Sequence, residues 1–106
     1  MAKRAIVINL VTSFARELRD SGIKLREVYL FGSFASGKQN RNSDIDVALA
    51  ADDFSGLGFE DVKKFGRILI KTPYKKIEPI TYPTSYFKKS DPFIDEIKNS
   101  GIRIEF

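Results

Sequence analysis

The stretch from Val28 to Leu49 limits what this chain can fold into more than any other part of it. An apolar run, Val28-Tyr29-Leu30-Phe31, ends abruptly in Gly32-Ser33. Ten residues beyond that pair, two aspartates at alternate positions, Asp44 and Asp46, open a second apolar run through Ile45, Val47, Ala48 and Leu49. Short apolar runs bounded by turn residues read as strands. Side chains two apart on a strand point to the same face, so the two carboxylates should stand side by side. The Gly-Ser bend leaves the neighbouring strand close to them.

Composition removes most other chemistry. The 106 residues contain no cysteine and no histidine. Disulfides, thiolate or imidazole metal sites and histidine-based triads are therefore excluded. Polar catalysis here must rest on carboxylates, hydroxyls, lysines, arginines and a borrowed metal ion. At 42% hydrophobic and 30% charged, the chain reads as one ordinary globular domain spanning residues 1–106.

The net charge of +4 is unevenly spread. Between Asn42 and Val62 there is no Lys or Arg, while Asp44, Asp46, Asp52, Asp53, Glu60 and Asp61 all fall there. Lys38 and Arg41 precede this acidic stretch, and Lys63, Lys64, Arg67, Lys71, Lys75 and Lys76 follow it. Such a balance favours anionic partners. A solvated lysine-rich surface accounts for it more plainly than a nucleic-acid face does.

The start, MAKRAIVINLVTSFA, imitates a secretory leader, but Asn9 interrupts its apolar run. Apolar residues then continue at helical spacing through Val7, Leu10, Val11, Phe14 and Leu18. This predicts an amphipathic helix over about 5–20, stopped at Ser21-Gly22, in a cytoplasmic protein. No segment reaches the length needed to span a membrane.

Strands are predicted over about 26–31, 44–50 and 76–82, with a short turn or helix at 33–37 and a loop at 38–43. Pro79 marks the third strand as an edge. A second helix, about 58–71, is predicted to bury Phe59, Val62, Phe65 and Leu69. A third, capped by Asp91-Pro92, turns Phe93, Ile94 and Ile97 inward. Residues 102–106 alternate and read as a last edge strand. The fold class is α/β (α+β): a small mixed sheet of about four strands with helices packed on it.

A Gly-Ser pair after a strand is by itself an ordinary turn. It can also let a phosphate approach the backbone, with the Ser33 hydroxyl and the following N–H groups donating to it. Gly32, Gly37 and Lys38 satisfy G-x-x-x-x-G-K, the P-loop pattern. That pattern continues with Ser or Thr and opens a helix, whereas Gln39 begins a polar loop, so the match reads as coincidence.

Asp44 and Asp46 are costly neighbours, since like charges ~4 Å apart repel by about 4 kcal/mol at an effective dielectric near 20. Water, a basic group or a cation must offset that, and paired hard oxygens suit magnesium. A third carboxylate, to orient metal and take a proton from an attacking hydroxyl, is best supplied by Glu78 within Ile77-Glu78-Pro79-Ile80. Asp52 and Asp53 lie past the strand and read as loop residues. Tyr82, Tyr86 and Phe87 could stack a base, but core packing explains each more simply.

The segment GSFASGKQNRNSDIDVAL, with spacing G-S-x10-D-x-D, resembles the signature of the nucleotidyltransferase superfamily with the DNA-polymerase-β-like palm, in particular its minimal (MNT) members. The likeness extends to VYLFGS, IEPI and PFIDEIKNSGIRI and so covers nearly the whole chain.

The resemblance implies transfer of AMP from ATP to a tyrosine of a HEPN-domain toxin, as in toxin–antitoxin pairs. It implies that Gly32 and Ser33 hold the donor triphosphate. It also implies that Asp44 and Asp46 bind two magnesium ions, with Glu78 as the third acid. The family often carries arginine where this chain has Ser36; the change passes that task to Lys38 or Arg41, or leaves the triphosphate less firmly held.

The small size leaves little chain for a second substrate pocket, so the acceptor should bring its own surface, as a protein would. The alternative reading is a binding module of the same fold that neutralises a HEPN partner without chemistry. An RNA-binding accessory domain ranks third, and self-association stays open.

Overall fold

The apolar residues of the second predicted strand face both ways, and the fold covers both sides. A computed structural model describes residues 2–40 and 42–106. In chain order it has α1 (Ala2–Asp20), β1 (Leu25–Phe31), α2 (Ser33–Ser36), β2 (Ile45–Ala51), α3 (Gly58–Val62) and α4 (Gly66–Leu69). A 3-10 turn (Thr72–Tyr74), β3 (Ile77–Pro83), α5 (Thr84–Phe87), α6 (Pro92–Ser100) and β4 (Ile102–Arg103) complete it.

The four strands lie in the order β3-β2-β1-β4. β1 runs antiparallel to β2, with Phe31 opposite Asp46, and antiparallel to β4. β2 and β3 run parallel, with Ile45 opposite Ile77 and Asp46 opposite Glu78. The mixed sheet with helices is the fold class that the sequence predicts. Pro79 does sit on an edge strand, where its missing N–H costs no ladder bond.

Strand alternation sorts the core into two layers. Val28, Leu30, Val47 and Leu49 pack under α1 with Val11, Phe14 and Leu18. Ala48 and Ala50 turn the other way, with Tyr29 and Phe31 alongside, and meet Phe87, Ile94 and Ile97 of α5 and α6. Phe14 is fully buried and stacks edge-on against Phe65 and Tyr74. Full burial of such a side chain stabilises the fold by roughly 2–3 kcal/mol. Near Phe14 the Tyr74 hydroxyl donates to Glu17, which also accepts from Lys71 Nζ at 2.6 Å. Burial, then the Glu17 carboxylate, pushes the Tyr74 hydroxyl up to about 12.

Three expectations need correction. The predicted helix 58–71 is two short pieces, broken over Lys63–Phe65, because Asp61 takes the inward position. Its carboxylate is fully buried and accepts from the N–H groups of Ser55 and Gly56 at 2.8 Å and from the Thr81 hydroxyl at 2.7 Å. With Asp61 and Phe65 inside, Phe59 is carried outward and stands 68% exposed. Phe93 is likewise not core but 48% exposed. Finally, the chain after Pro83 makes a four-residue helix, α5, that no sequence period marks. Among the described residues no helix is long and apolar enough to cross a membrane.

Candidate functional site

The site begins where β1 ends. Gly32 has φ 74° and ψ −149°, a conformation open essentially to glycine. Its carbonyl accepts from the N–H groups of Ala35 and Ser36, both at 3.1 Å, winding the chain at once into α2. Gly37 closes that helix in the left-handed region, and the Lys38 N–H donates to Ser33 O at 3.0 Å. Among the described residues no helix opens between Lys38 and β2, which agrees with setting the P-loop pattern aside. Phe34 plugs α2 into the core, and Arg4 of α1 donates to the carbonyls of Phe34 and Ala35. Gly32 itself is exposed and Ser33 partly so, and the Ser33 hydroxyl has no hydrogen bond among the described residues.

The acids gather beside this bend. Asp44 is exposed just before β2, Asp46 is partly buried one turn of the pleat further on, and Glu78 is exposed on β3. Asp46 and Glu78 are register partners on adjacent parallel strands, which run about 4.8 Å apart. Burial first, then Asp44, then Glu78, raise the Asp46 carboxyl above its usual range. Among the described residues no ion pair joins Asp44, Asp46 or Glu78 to a Lys or Arg.

This negative charge comes with hard oxygen donors suited to a divalent cation. The acids nevertheless stop short of a closed cage: among the described residues no three ligating side chains converge enough to hold a metal. Asp52 and Asp53, read as loop residues, are occupied elsewhere. Asp52 pairs with Arg26 at 2.5 Å and is held at about 2 by that hydrogen bond; Asp53 accepts from the Lys24 N–H.

Of the other candidates, Ser36 and Lys38 are exposed near the bend, and Arg41 lies outside the described residues. Phe87 is buried, and Tyr82 and Tyr86 stack on each other at 6.1 Å, with Tyr86 42% exposed.

Sequence reasoning missed a cleft of about 410 Å³ beside Gly32. Phe31, Gly32 and Ser36 form one side of it. Phe93, Glu96, Ile97 and Ser100, one face of α6, form the other. The i, i+3, i+4, i+7 spacing of those four was visible, but nothing in the sequence tells which side of the sheet α6 crosses. The brace from Arg4 likewise left no sequence signal.

The fold agrees with known proteins. The family described as nucleotidyltransferase domain matches residues 11–104. The chain is 31% identical over 105 residues to a putative protein adenylyltransferase of Methanocaldococcus jannaschii, covering 92% of this chain and 98% of that one. It is 58% identical over 36 residues to the protein adenylyltransferase MntA of Shewanella oneidensis, a match spanning 34% of this chain and only 26% of that protein. Among solved structures it resembles a toxin–antitoxin with AMP-PNP, at 26% identity and a TM-score of 0.57, over 92% of this chain and 72% of that one.

Proposed function

Since this chain belongs to the nucleotidyltransferase domain family, we propose that it transfers a nucleoside monophosphate, AMP from ATP, to a hydroxyl on a HEPN-type toxin and thereby acts as an antitoxin. The observation that carries the reading is the placement of Asp46: register partner of Glu78 on one side, in contact with Gly32 on the other. Two relatives named as protein adenylyltransferases and a toxin–antitoxin neighbour holding AMP-PNP support the donor and the kind of acceptor.

In this mechanism Gly32 and Ser33 receive the donor's triphosphate, with backbone N–H groups and the Ser33 hydroxyl facing its oxygens. Asp44 and Asp46, with Glu78 beside them, would hold magnesium. The metal supplies charge neutralisation and Lewis-acid polarisation of the phosphoryl group. Glu78, exposed on the edge strand, accepts the proton of the attacking hydroxyl. A bond forms between that oxygen and the α-phosphorus, the bond to the bridging oxygen breaks, and pyrophosphate leaves from the side of Gly32. The acceptor enters from the opposite side, where a partner protein can approach the open edge.

The test is incubation with labelled ATP, magnesium and the toxin. AMP should appear on the toxin and vanish with Asp44→Asn; undiminished labelling by that variant rules the mechanism out. A second reading, a module that silences the toxin by binding alone, draws on Ser36 at the position where the family often has arginine. Under it, a variant lacking both Asp44 and Asp46 carboxylates would still neutralise the toxin in full.

A further inference from the structure

We propose that the cleft between α6 and the Gly32 bend receives the base and ribose of the donor nucleotide, and that it prefers a base carrying an exocyclic amine. The inference rests on the triphosphate lying at Gly32-Ser33. At about 410 Å³ the cleft has the size of small-molecule sites, apolar walls with a few polar groups. It opens directly beside Gly32, so a nucleoside attached to a triphosphate held there reaches it without spanning any other element.

In-line displacement decides between the two possible occupants. The acceptor oxygen must stand opposite the departing pyrophosphate, away from the bend that holds it. A cleft that shares Gly32 with the bend is on the wrong side for the acceptor and on the reachable side for the nucleoside.

The side chains fit that assignment. Phe93 is 48% exposed although it lies on an amphipathic helix, and it meets Phe31 edge-on at 5.9 Å and 89°. Its exposed surface offers a platform on which a base can stack. Glu96 stands one turn further along α6, its Oε2 3.0 Å from the Ser100 hydroxyl, which also lies 2.7 Å from the Glu96 carbonyl. Oε1 accepts no hydrogen bond among the described residues and can take one from an exocyclic N–H. Glu96 brings a carboxylate to the cleft, and Ser100, also on its wall, is the last residue of α6, where the helix dipole is negative. Phosphate is therefore repelled from the cleft, and an amine is drawn in.

Binding of ATP, UTP and inorganic tripolyphosphate to the full chain with magnesium tests this by titration calorimetry. Tripolyphosphate reports the bend alone, and the base of UTP lacks the amine. The chain should bind ATP at least about tenfold more tightly than tripolyphosphate. Phe93→Ala should weaken ATP about tenfold and tripolyphosphate less than twofold. Phe93→Tyr, which keeps the ring, should retain ATP, and Glu96→Gln should narrow the gap between ATP and UTP. The cleft assignment fails if ATP binds no tighter than tripolyphosphate, or if Phe93→Ala weakens both alike. If neither ligand binds the unmodified chain, the phosphate reading falls first and takes the cleft with it.

Discussion

Gly32 lies directly against the carboxylate of Asp46: a Cβ built on the glycine would overlap Oδ2 and stand 3.1 Å from Cγ. The same glycine holds φ +74°, where L side chains are strained. One constraint comes from how β1 must exit into α2, the other from the acid on the next strand. The bend and the acid thus form a single unit.

Gly32→Ala should therefore fail on both counts. Backbone strain alone costs about 1–3 kcal/mol, and displacement of Asp46 adds to it. Each kcal/mol lowers the melting temperature of a domain this size by roughly 4–8 °C. Thermal denaturation should show the drop, and AMP transfer should be lost with it. An unchanged melting temperature would mean that the bend is looser than described.

Asp46→Asn should separate function from stability. Burial and the two neighbouring carboxylates disfavour the charge on Asp46, so removing that charge relieves the fold. In metal-free buffer the variant should be as stable as the unmodified chain or more so, by about 0.5–2 kcal/mol, as is common where function holds a strained group. Transfer should nevertheless disappear. A clear loss of stability would show that Asp46 holds the fold together.

Asp61 should behave in the opposite sense. Burial alone would raise its carboxyl, but donors from Ser55, Thr81 and Gly56 outweigh burial and hold it below the usual range. The stability it contributes is then fully present above the unfolded value of about 3.9 and is lost as pH falls through the lower folded value. Asp61→Asn should cost about 3 kcal/mol at pH 7, and that difference should shrink as pH drops below about 4. Urea midpoints measured from pH 7 to pH 3 read this directly; a gap independent of pH would contradict it.

The same residue explains what was legible in the sequence and what was not. The strands around Gly32, Asp44 and Asp46 were readable because β2 is covered on both faces, so apolar residues sit at nearly every position. The bend was readable because only glycine fits it. The break between α3 and α4 was not, because apolar spacing through Phe59, Val62, Phe65 and Leu69 fits a continuous helix. It is overruled by donors from Ser55, Gly56 and Thr81, the last of them on β3, which no local pattern reveals. Phe93 misled in the same way: an amphipathic period shows that a side chain is apolar, not that the partner face extends far enough to cover it.

Metal binding should depend on the nucleotide. Asp44, Asp46 and Glu78 share one end of the sheet, yet among the described residues no three ligating side chains close on a common point. Magnesium binds through a few carboxylates plus substrate phosphate oxygens and keeps much of its water. The acids alone should therefore hold it weakly, and the triphosphate at Gly32-Ser33 should complete the set. Millimolar magnesium without nucleotide should shift the melting temperature little. Magnesium with ATP at a hundredfold excess over its Kd should stabilise the chain by about 2.7 kcal/mol. Chelation, or Asp44→Asn, should remove most of that gain. If magnesium alone stabilised the chain as much as the pair did, the three acids would already form a complete site, and the nucleotide would have no part in assembling it.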